Sequence, residues 1–427
     1  MVCLKQNLRM RFSNSQWRIY TSCFLKKSGM QQISILGATG SIGTSTLNVI
    51  RQNADHFRVF ALTAHRNVER LAEQIAEFQP TFAVLSDETF EESLKKRLPK
   101  NTKTEILTGE SSLEMVATHT QADGVMAAIV GAAGLKPTLA AAKAGKTIFL
   151  ANKEVLVMAG EIFCQAVKEN NAQILPVDSE HNAIFQSLPK GFRCCVDLFP
   201  AEKILLTASG GAFLHHTKEE LKKVTPQAAC QHPNWQMGKK VSIDSASLMN
   251  KALEVIEAFW LFSCKAEQIE VAIHPQSILH SGVYYKDGAL IAELGIPNMQ
   301  TPIANALAYP KRIASGVEKL KLWEYPPLKF LKPDLERFPN LKLAFDVLKI
   351  SGTAPAVLNA ANEIAVELFL NNQILFTDIP KINKNVLDYF ISQNLIQKNI
   401  RLEVLLNADK KAREIAQNFK NHFKNPR

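Results

Sequence analysis

The chain has 427 residues, 46% hydrophobic and 21% charged, with a formal net charge of +10. That length exceeds one hydrophobic core and predicts two or three domains, with an apolar fraction ordinary for a soluble globular protein. No run of eighteen apolar residues occurs, so no helical membrane span is expected.

Six of the fifty Lys and Arg residues, Lys5, Arg9, Arg11, Arg18, Lys26 and Lys27, fall in the first thirty positions, which contain no acid. The remaining 44 basic residues face 40 acidic ones, a balance that implies no nucleic-acid partner and leaves anionic small substrates open. The head lacks a continuous apolar stretch for secretion. It reads as a short organellar address or, preferably, as a disordered extension over residues 1–29 ahead of a start at Met30. Seven cysteines without C-x-x-C spacing fit free thiols in a reducing cytoplasm.

From residue 30 to 178, short β-branched runs alternate with amphipathic helical patterns. Strands are expected at Ile33–Leu36, Arg58–Thr63, Phe82–Leu85, Gly124–Val130, Thr147–Leu150 and Ile174–Val177. Alternation of this kind implies an α/β, doubly wound, Rossmann-like domain. Over residues 179–322 strand patterns at Lys203–Thr207, Ile269–Ile273 and Ala289–Leu294 mix with one long helical pattern, Ala246–Phe262, predicting a central α+β catalytic domain. The proline-rich stretch 323–340 reads as a linker. Residues 341–427 are expected to close the chain as a C-terminal helical bundle, from patterns at Asn340–Lys349, Ala354–Leu370, Ile382–Gln393 and Leu402–Phe419.

In "ISILGATGSIG", 33–43, an apolar strand runs into Gly37, Gly40 and Gly43 and then a helical pattern. Glycines permit the tight turn and close backbone approach to a pyrophosphate, which the helix N-terminus attracts. The alternative is a turn that serves only helix–strand packing. The next strand ends in His65-Arg66-Asn67 without a carboxylate. Arg66 suits a 2′-phosphate, so NADPH is preferred to NADH, unless Arg66 is simply a solvated helix-start residue.

"PVDSEH", 176–181, ends a greasy run in two carboxylates two residues apart. Such a pair suits one hard dication, Mg²⁺ or Mn²⁺, at the carboxyl end of a sheet. Equally, Asp178 or Ser179 would N-cap a short helix. In "SIDSASLMNKALEVIEAFW", 242–260, Ser245 reads as an N-cap, with Asn250 and Glu254 one turn apart. Ser245, Asn250, Lys251 and Glu254 resemble a phosphate-and-metal kit, although a solvated helix face usually explains such a set. Ser209-Gly210-Gly211 offers a hydroxyl and exposed N–H groups to a phosphate. His232, Trp235 and Met237, between Pro233 and Gly238, suggest a closing lid, or a surface loop anchored by its Trp.

Seven blocks in order, "ILGATGSIG", "LANKEVLVMAG", "LPVDSEHNAIFQ", "LTASGG", "HPNWQMGKK", "DSASLMNKALEVIEA" and "IHPQSILH", resemble the 1-deoxy-D-xylulose 5-phosphate reductoisomerase family from about Met30 to near the C-terminus. The resemblance implies NADPH contacts at Thr39, Gly40, Ser41, Ile42, Arg66, Asn67, Asn152, Glu154 and Gly238, and metal ligation by Asp178, Glu180 and Glu254. It implies substrate binding by Lys153, Ser179, Glu180, Ser209, His232, Ser245, Asn250, Lys251 and Glu254, with Lys153, Glu180 and His232 closest to the chemistry. It further implies a homodimer that rearranges and reduces a phosphorylated sugar. His65 stands where relatives often carry glycine, which alters the adenosine pocket. Two other readings remain: a semialdehyde or homoserine-type NADP dehydrogenase, and a non-enzymatic NADPH-sensing module.

Overall fold

The computed structural model describes residues 29–231 and 238–420. Apart from Gly29, the head expected to be disordered lies outside the described residues, as do His232, Trp235 and Met237 of the expected lid. No helix among the described residues is long and apolar enough to cross a membrane.

The first half is a repeating strand–helix unit: β1 (Gln31–Leu36), α1 (Ser41–Gln52), β2 (Phe57–Ala64), α2 (Val68–Phe78), β3 (Phe82–Leu85), α3 (Glu91–Arg97), β4 (Glu105–Thr108), α4 (Glu110–Thr118), β5 (Gly124–Ala127), α5 (Leu135–Lys143), β6 (Thr147–Leu150), α6 (Glu154–Glu169) and β7 (Gln173–Pro176). The seven strands form one parallel sheet in the order β4-β3-β2-β1-β5-β6-β7. Helices cover both faces, so the central strands are buried throughout and read as continuous apolar runs such as Phe82–Leu85. Strand order reverses between β1 and β5, opening a crevice at their carboxyl ends.

The chain then passes through α7 (Ser179–Ser187), β8 (Lys203–Ala208), α8 (Lys218–Leu221), α9 (Pro226–Ala229), α10 (Lys239–Ala246), α11 (Met249–Leu261), β9 (Ile269–Ile273), β10 (Leu279–Tyr284), β11 (Leu290–Leu294) and α12 (Gln300–Ala308). Its strands form a second sheet, ordered β11-β10-β8-β9. Residues 323–340 contribute one bridge to that sheet, between Ile273 and Leu331. Helices α13 (Asn340–Ile350), α14 (Ala354–Leu370), α15 (Ile379–Ser392) and α16 (Leu402–Phe419) follow.

A chain of buried polar side chains joins these last helices to the centre. Asn383 on α15 donates to Asn340 (3.1 Å) and Asn362 (3.3 Å), and Asn362 donates to Asp244 on α10 at 2.7 Å. Lys240 pairs with both Asp244 and Glu154 at 3.0 Å, reaching the first turn of α6. Buried amides and charges are costly unless paired, and here all the links except Lys240–Asp244 join different helices, with Asn383 Oδ1 left over at the far end.

Three expectations need correction. The strand expected over Gly124–Val130 stops at Ala127, because the Ile129 and Gly131 carbonyls turn to Asn152 and Gly131 takes φ +76°. The single helix expected over Ala246–Phe262 is two, α10 and α11, broken at Leu248 with φ +56°. Ser245 is therefore not an N-cap; it sits in the last turn of α10. Strands β4 and β10 were absent from the sequence reading. The first is a half-buried edge, and the second, "LHSGVY", carries His, Ser and Gly that disguise its pattern.

The glycine turn is sterically closed. A Cβ at Gly37 (φ +85°) would lie 2.7 Å from the Ala128 carbonyl oxygen, and one at Gly43 would lie 2.4 Å from the Gly37 oxygen. Helix α1 thus rests directly on the turn. Gly43→Ala should cost about 1–3 kcal/mol through overpacking, read as a lower denaturation midpoint with unchanged slope.

Candidate functional site

Beyond the carboxyl ends of β1, β5, β6 and β7 lies a cavity of about 590 Å³, walled on the other side by β8, α10 and α11. Its lining contains Ser41 and Ile42 from the glycine turn, and Asn152, Lys153 and Glu154 from the start of α6. Asp178, Ser179 and Glu180 enter it from the start of α7, and Ser209 from the end of β8. Gly238, Ser245, Asn250, Lys251 and Glu254 close it from the α10–α11 side. The helix break at Leu248 places Ser245 on one helix axis and Asn250, Lys251 and Glu254 on another. Gly211 fits under α10, where a Cβ would be 2.5 Å from the Ser245 carbonyl oxygen, and one on Gly210 would meet the Leu214 side chain at 2.8 Å.

Asp178, Glu180 and Glu254 each bring an oxygen within 4.8 Å of the others. Asp178 occupies the N-cap position of α7, yet its side chain makes no capping hydrogen bond. The capping alternative therefore does not explain this carboxylate. It points instead at the Lys153 ammonium, 2.5 Å away. Lys153 also reaches Asn250 Oδ1 and Glu254 Oε1, both at 3.0 Å. Lys251, nearly fully buried, contacts Glu180 at 2.7 Å and also Glu254. Asn250 donates to Glu254 at 2.5 Å, and the Ser179 hydroxyl donates to Glu180.

Three carboxylates thus meet two ammonium groups. Burial alone would raise the Asp178 carboxyl, but the Lys153 charge overrides it and holds it well below the carboxylate range. Glu254 goes the other way: burial, then the neighbouring Glu180 charge, push its carboxyl up despite both lysines. The cluster is short of positive charge. Closely set oxygen donors with a charge deficit suit a hard dication such as Mg²⁺ or Mn²⁺.

On the cofactor side, Gly40 stands at the N-cap of α1 with no side-chain cap, so the first-turn N–H groups of Ser41 and Ile42 are disposed toward an anion, whereas the Gly40 N–H donates back to the Gly37 carbonyl at 3.2 Å and Thr39 lies in the turn just before. Gly37 N–H donates to Thr63 Oγ1 at 2.9 Å, fixing the turn to β2. At the end of β2, His65 Nδ1 lies 2.9 Å from Ser86 Oγ, and Asn67 caps α2 by accepting from Arg70 N–H. Arg66 pairs through Nε with Asp87 at 2.7 Å. A carboxylate therefore does stand by this strand, supplied from beyond β3, and it binds the guanidinium that the sequence assigned to a phosphate. His65, Arg66 and Asn67 lie outside the cavity lining.

Several lining residues escaped the sequence reading. His280, on the unrecognised β10, faces the cavity with Nδ1 3.0 Å from Glu293 on β11. Burial would lower its pKa, but Glu293 holds it raised. Lys240 and Asn298–Gln300 also line the space. The block "IHPQSILH" ends on His280 and was the available signal. No described cysteine lines the cavity. Cys164, Cys194, Cys195 and Cys264 are buried, and burial pushes Cys194 and Cys195 well up and Cys264 to about 12.

Three family models match in chain order: 1-deoxy-D-xylulose 5-phosphate reductoisomerase over residues 33–160, its C-terminal domain over 174–262, and the DXP reductoisomerase C-terminal domain over 294–415. The chain is 55% identical over 361 residues to the reductoisomerase of Dechloromonas aromatica, covering 84% of this chain and 91% of that one. Against that of Cupriavidus pinatubonensis it is 57% identical over 363 residues, with the same coverage. A crystal structure of DOX-P reductoisomerase with NADPH, fosmidomycin and magnesium superposes with a TM-score of 0.87 at 46% identity, covering 92% of this chain and 98% of that one. The Zymomonas mobilis enzyme in complex with NADPH superposes with a TM-score of 0.84 at 44% identity, over 92% and 99%. Matched along most of its length in both sequence and fold, the chain belongs to the 1-deoxy-D-xylulose 5-phosphate reductoisomerase family.

Proposed function

We infer that this chain catalyses the NADPH- and divalent-metal-dependent rearrangement and reduction of 1-deoxy-D-xylulose 5-phosphate to 2-C-methyl-D-erythritol 4-phosphate, a step of isoprenoid precursor biosynthesis. The observation that carries this reading is the charge-deficient cluster of Asp178, Glu180 and Glu254 in the same cavity as the glycine turn. A dication held there supplies Lewis acidity toward the substrate's carbonyl and hydroxyl oxygens, and NADPH supplies hydride.

The chain's own groups bind and orient. Ser209, Ser245, Asn250 and Lys251 hold the substrate phosphate, whose binding energy positions the reacting carbons. Lys251, in contact with Glu180 and Glu254 here, becomes available to the phosphate when a dication compensates those carboxylates. Lys153 stays beside the oxygens on which negative charge develops, with Ser179 and Glu180 next to it. His232 is assigned as a positioning or proton-carrying group from the segment before Gly238. Thr39, Gly40, Ser41 and Ile42 receive the pyrophosphate, His65, Arg66 and Asn67 the adenosine end, and Asn152, Glu154 and Gly238 the remaining contacts.

In this reading residues 30–178 bind the cofactor, 179–322 carry the chemistry, 323–340 link, and 341–427 brace the centre through Asn362 and Asp244. A cytoplasmic homodimer is part of the same reading. Supporting it, the edge strand β11 leaves Leu290, Ile291 and Leu294 exposed to a second copy. A thioester-forming semialdehyde dehydrogenase needs a reactive thiolate in its site, and among the described cysteines four are buried and the half-buried Cys230 lies outside the cavity lining. An NADPH sensor has no use for three converging carboxylates.

NADPH oxidation with deoxyxylulose phosphate should stop on chelation and return with Mn²⁺; turnover that survives chelation would overturn the reading. Asp178→Asn, Glu180→Gln and Glu254→Gln should each lower metal-dependent turnover by more than the roughly 10–100-fold typical of outer-shell changes, with NADPH affinity preserved in a fluorescence titration. Arg66→Ala should raise KM for NADPH by about tenfold, as loss of a hydrogen bond to a charged group would, and leave KM for NADH unchanged. Lys251→Ala should raise KM for the phosphorylated substrate.

A further inference from the structure

Behind the carboxylate cluster is a buried pair that the proposed chemistry does not use. His181, on α7 next to Glu180, is fully buried and stacks on Phe262 with ring centroids 6.1 Å apart. Its Nε2 lies 3.0 Å from the backbone carbonyl oxygen of Glu254. A carbonyl only accepts, so Nε2 carries the hydrogen and donates it. Nδ1 faces Glu257 Oε2 at 3.5 Å. Among the described residues, neither Nδ1 nor either Glu257 oxygen has a hydrogen-bond partner, so the two side chains face each other without a closed hydrogen bond. Glu257 is itself fully buried, one turn beyond Glu254 on α11.

With Nε2–H committed to Glu254, Nδ1 is left facing the Glu257 carboxyl, and a hydrogen bond between the two would satisfy both buried groups. The same geometry admits one other occupant. Asp178, His181 and Glu257 bring ligand atoms within 4.8 Å of one another, spacing compatible with a cation. Charge decides between them. Lys153 already stands 2.5 Å from Asp178, and the first dication is assigned to that same carboxylate. A second dication, fully buried beside both, would meet strong repulsion with no water to screen it. A hydrogen bond between the two side chains adds no such charge.

We propose that Glu257 is a positioning residue, which holds His181 by a hydrogen bond at Nδ1 and through His181 fixes the Glu254 backbone in the orientation that a dication requires. The inference rests on the reading of Asp178, Glu180 and Glu254 as ligands. Ligand orientation set by a carboxyl–imidazole relay is a common outer-shell device, although here the relay ends on the ligand's backbone.

The test compares Glu257→Leu, Glu257→Gln and Glu254→Gln by Mn²⁺ binding to the NADPH-free protein, followed by electron paramagnetic resonance, with turnover in parallel. Glu257→Leu fills the volume without a donor and should weaken Mn²⁺ binding about 10–100-fold, lowering turnover at fixed Mn²⁺ while KM for NADPH stays constant. Glu257→Gln presents an amide N–H to Nδ1 and should bind Mn²⁺ less than about tenfold more weakly than the parent. Parent-like affinity in Glu257→Leu, or a Glu257→Gln as impaired as Glu257→Leu, would overturn the proposal. If the Leu variant does not fold, the Gln variant decides alone: near-parent affinity supports the proposal, and tenfold or greater loss overturns it. The parent should bind one Mn²⁺ per chain; two would place a cation between His181 and Glu257 and overturn the proposal. Parent-like Mn²⁺ affinity in Glu254→Gln would instead remove the ligand reading, and the proposal with it.

Discussion

The central constraint is electrostatic. Three carboxylates from two helices converge within 4.8 Å in one cavity, with Glu254 buried and Asp178 and Glu180 only partly exposed, so water screens them weakly. Everything around them answers that concentration of charge. Two lysines lie against them, Asn250 and Ser179 donate to them, and Glu254 remains pushed toward protonation all the same. The surplus is what makes the cavity a place for a dication rather than an ordinary buried ion-pair network. Burial first, and then the Asp178 charge, also push the neighbouring Glu257 carboxyl well up.

The fold brings those groups together by three independent routes. Strands β6 and β7 end side by side, so the starts of α6 and α7 deliver Lys153 and Asp178 to each other across a ladder that pairs Leu150 with Pro176. The left-handed Leu248 ends α10 and re-aims the chain, and α11 carries Glu254 in from the opposite wall. The C-terminal helices then hold α10 from outside through Asn362 and Asp244, a tie whose far end reaches Glu154 on the cofactor side. Because each buried link is satisfied only by its neighbour, displacement of one helix exposes unpaired groups on the next.

Much of this was legible in the sequence because it is local. The glycine turn is a steric requirement written in consecutive residues, and "PVDSEH" places two acids where a strand must end. Buried parallel strands such as Phe82–Leu85 announce themselves as apolar runs. What the sequence hid is relational. Asp87 beside Arg66, and Glu293 behind His280, are partners across β-strand neighbours that no spacing along the chain encodes. The break at Leu248 has no glycine or proline to mark it, since surrounding packing imposes φ +56° on a leucine. The capping expectation for Ser245 failed with that helix, and the strand in "LHSGVY" was masked because a cavity-facing histidine interrupts its apolar alternation.

The two lysines carry one more implication. Many small metalloproteins cannot fold until their ion arrives, because nothing else offsets the repulsion among its ligands. Here Lys153 and Lys251 already stand in for part of that charge. Folding and metal supply are thereby decoupled: a cell starved of the ion would keep an intact, dormant pool of protein, ready to start work within the time an ion takes to diffuse in.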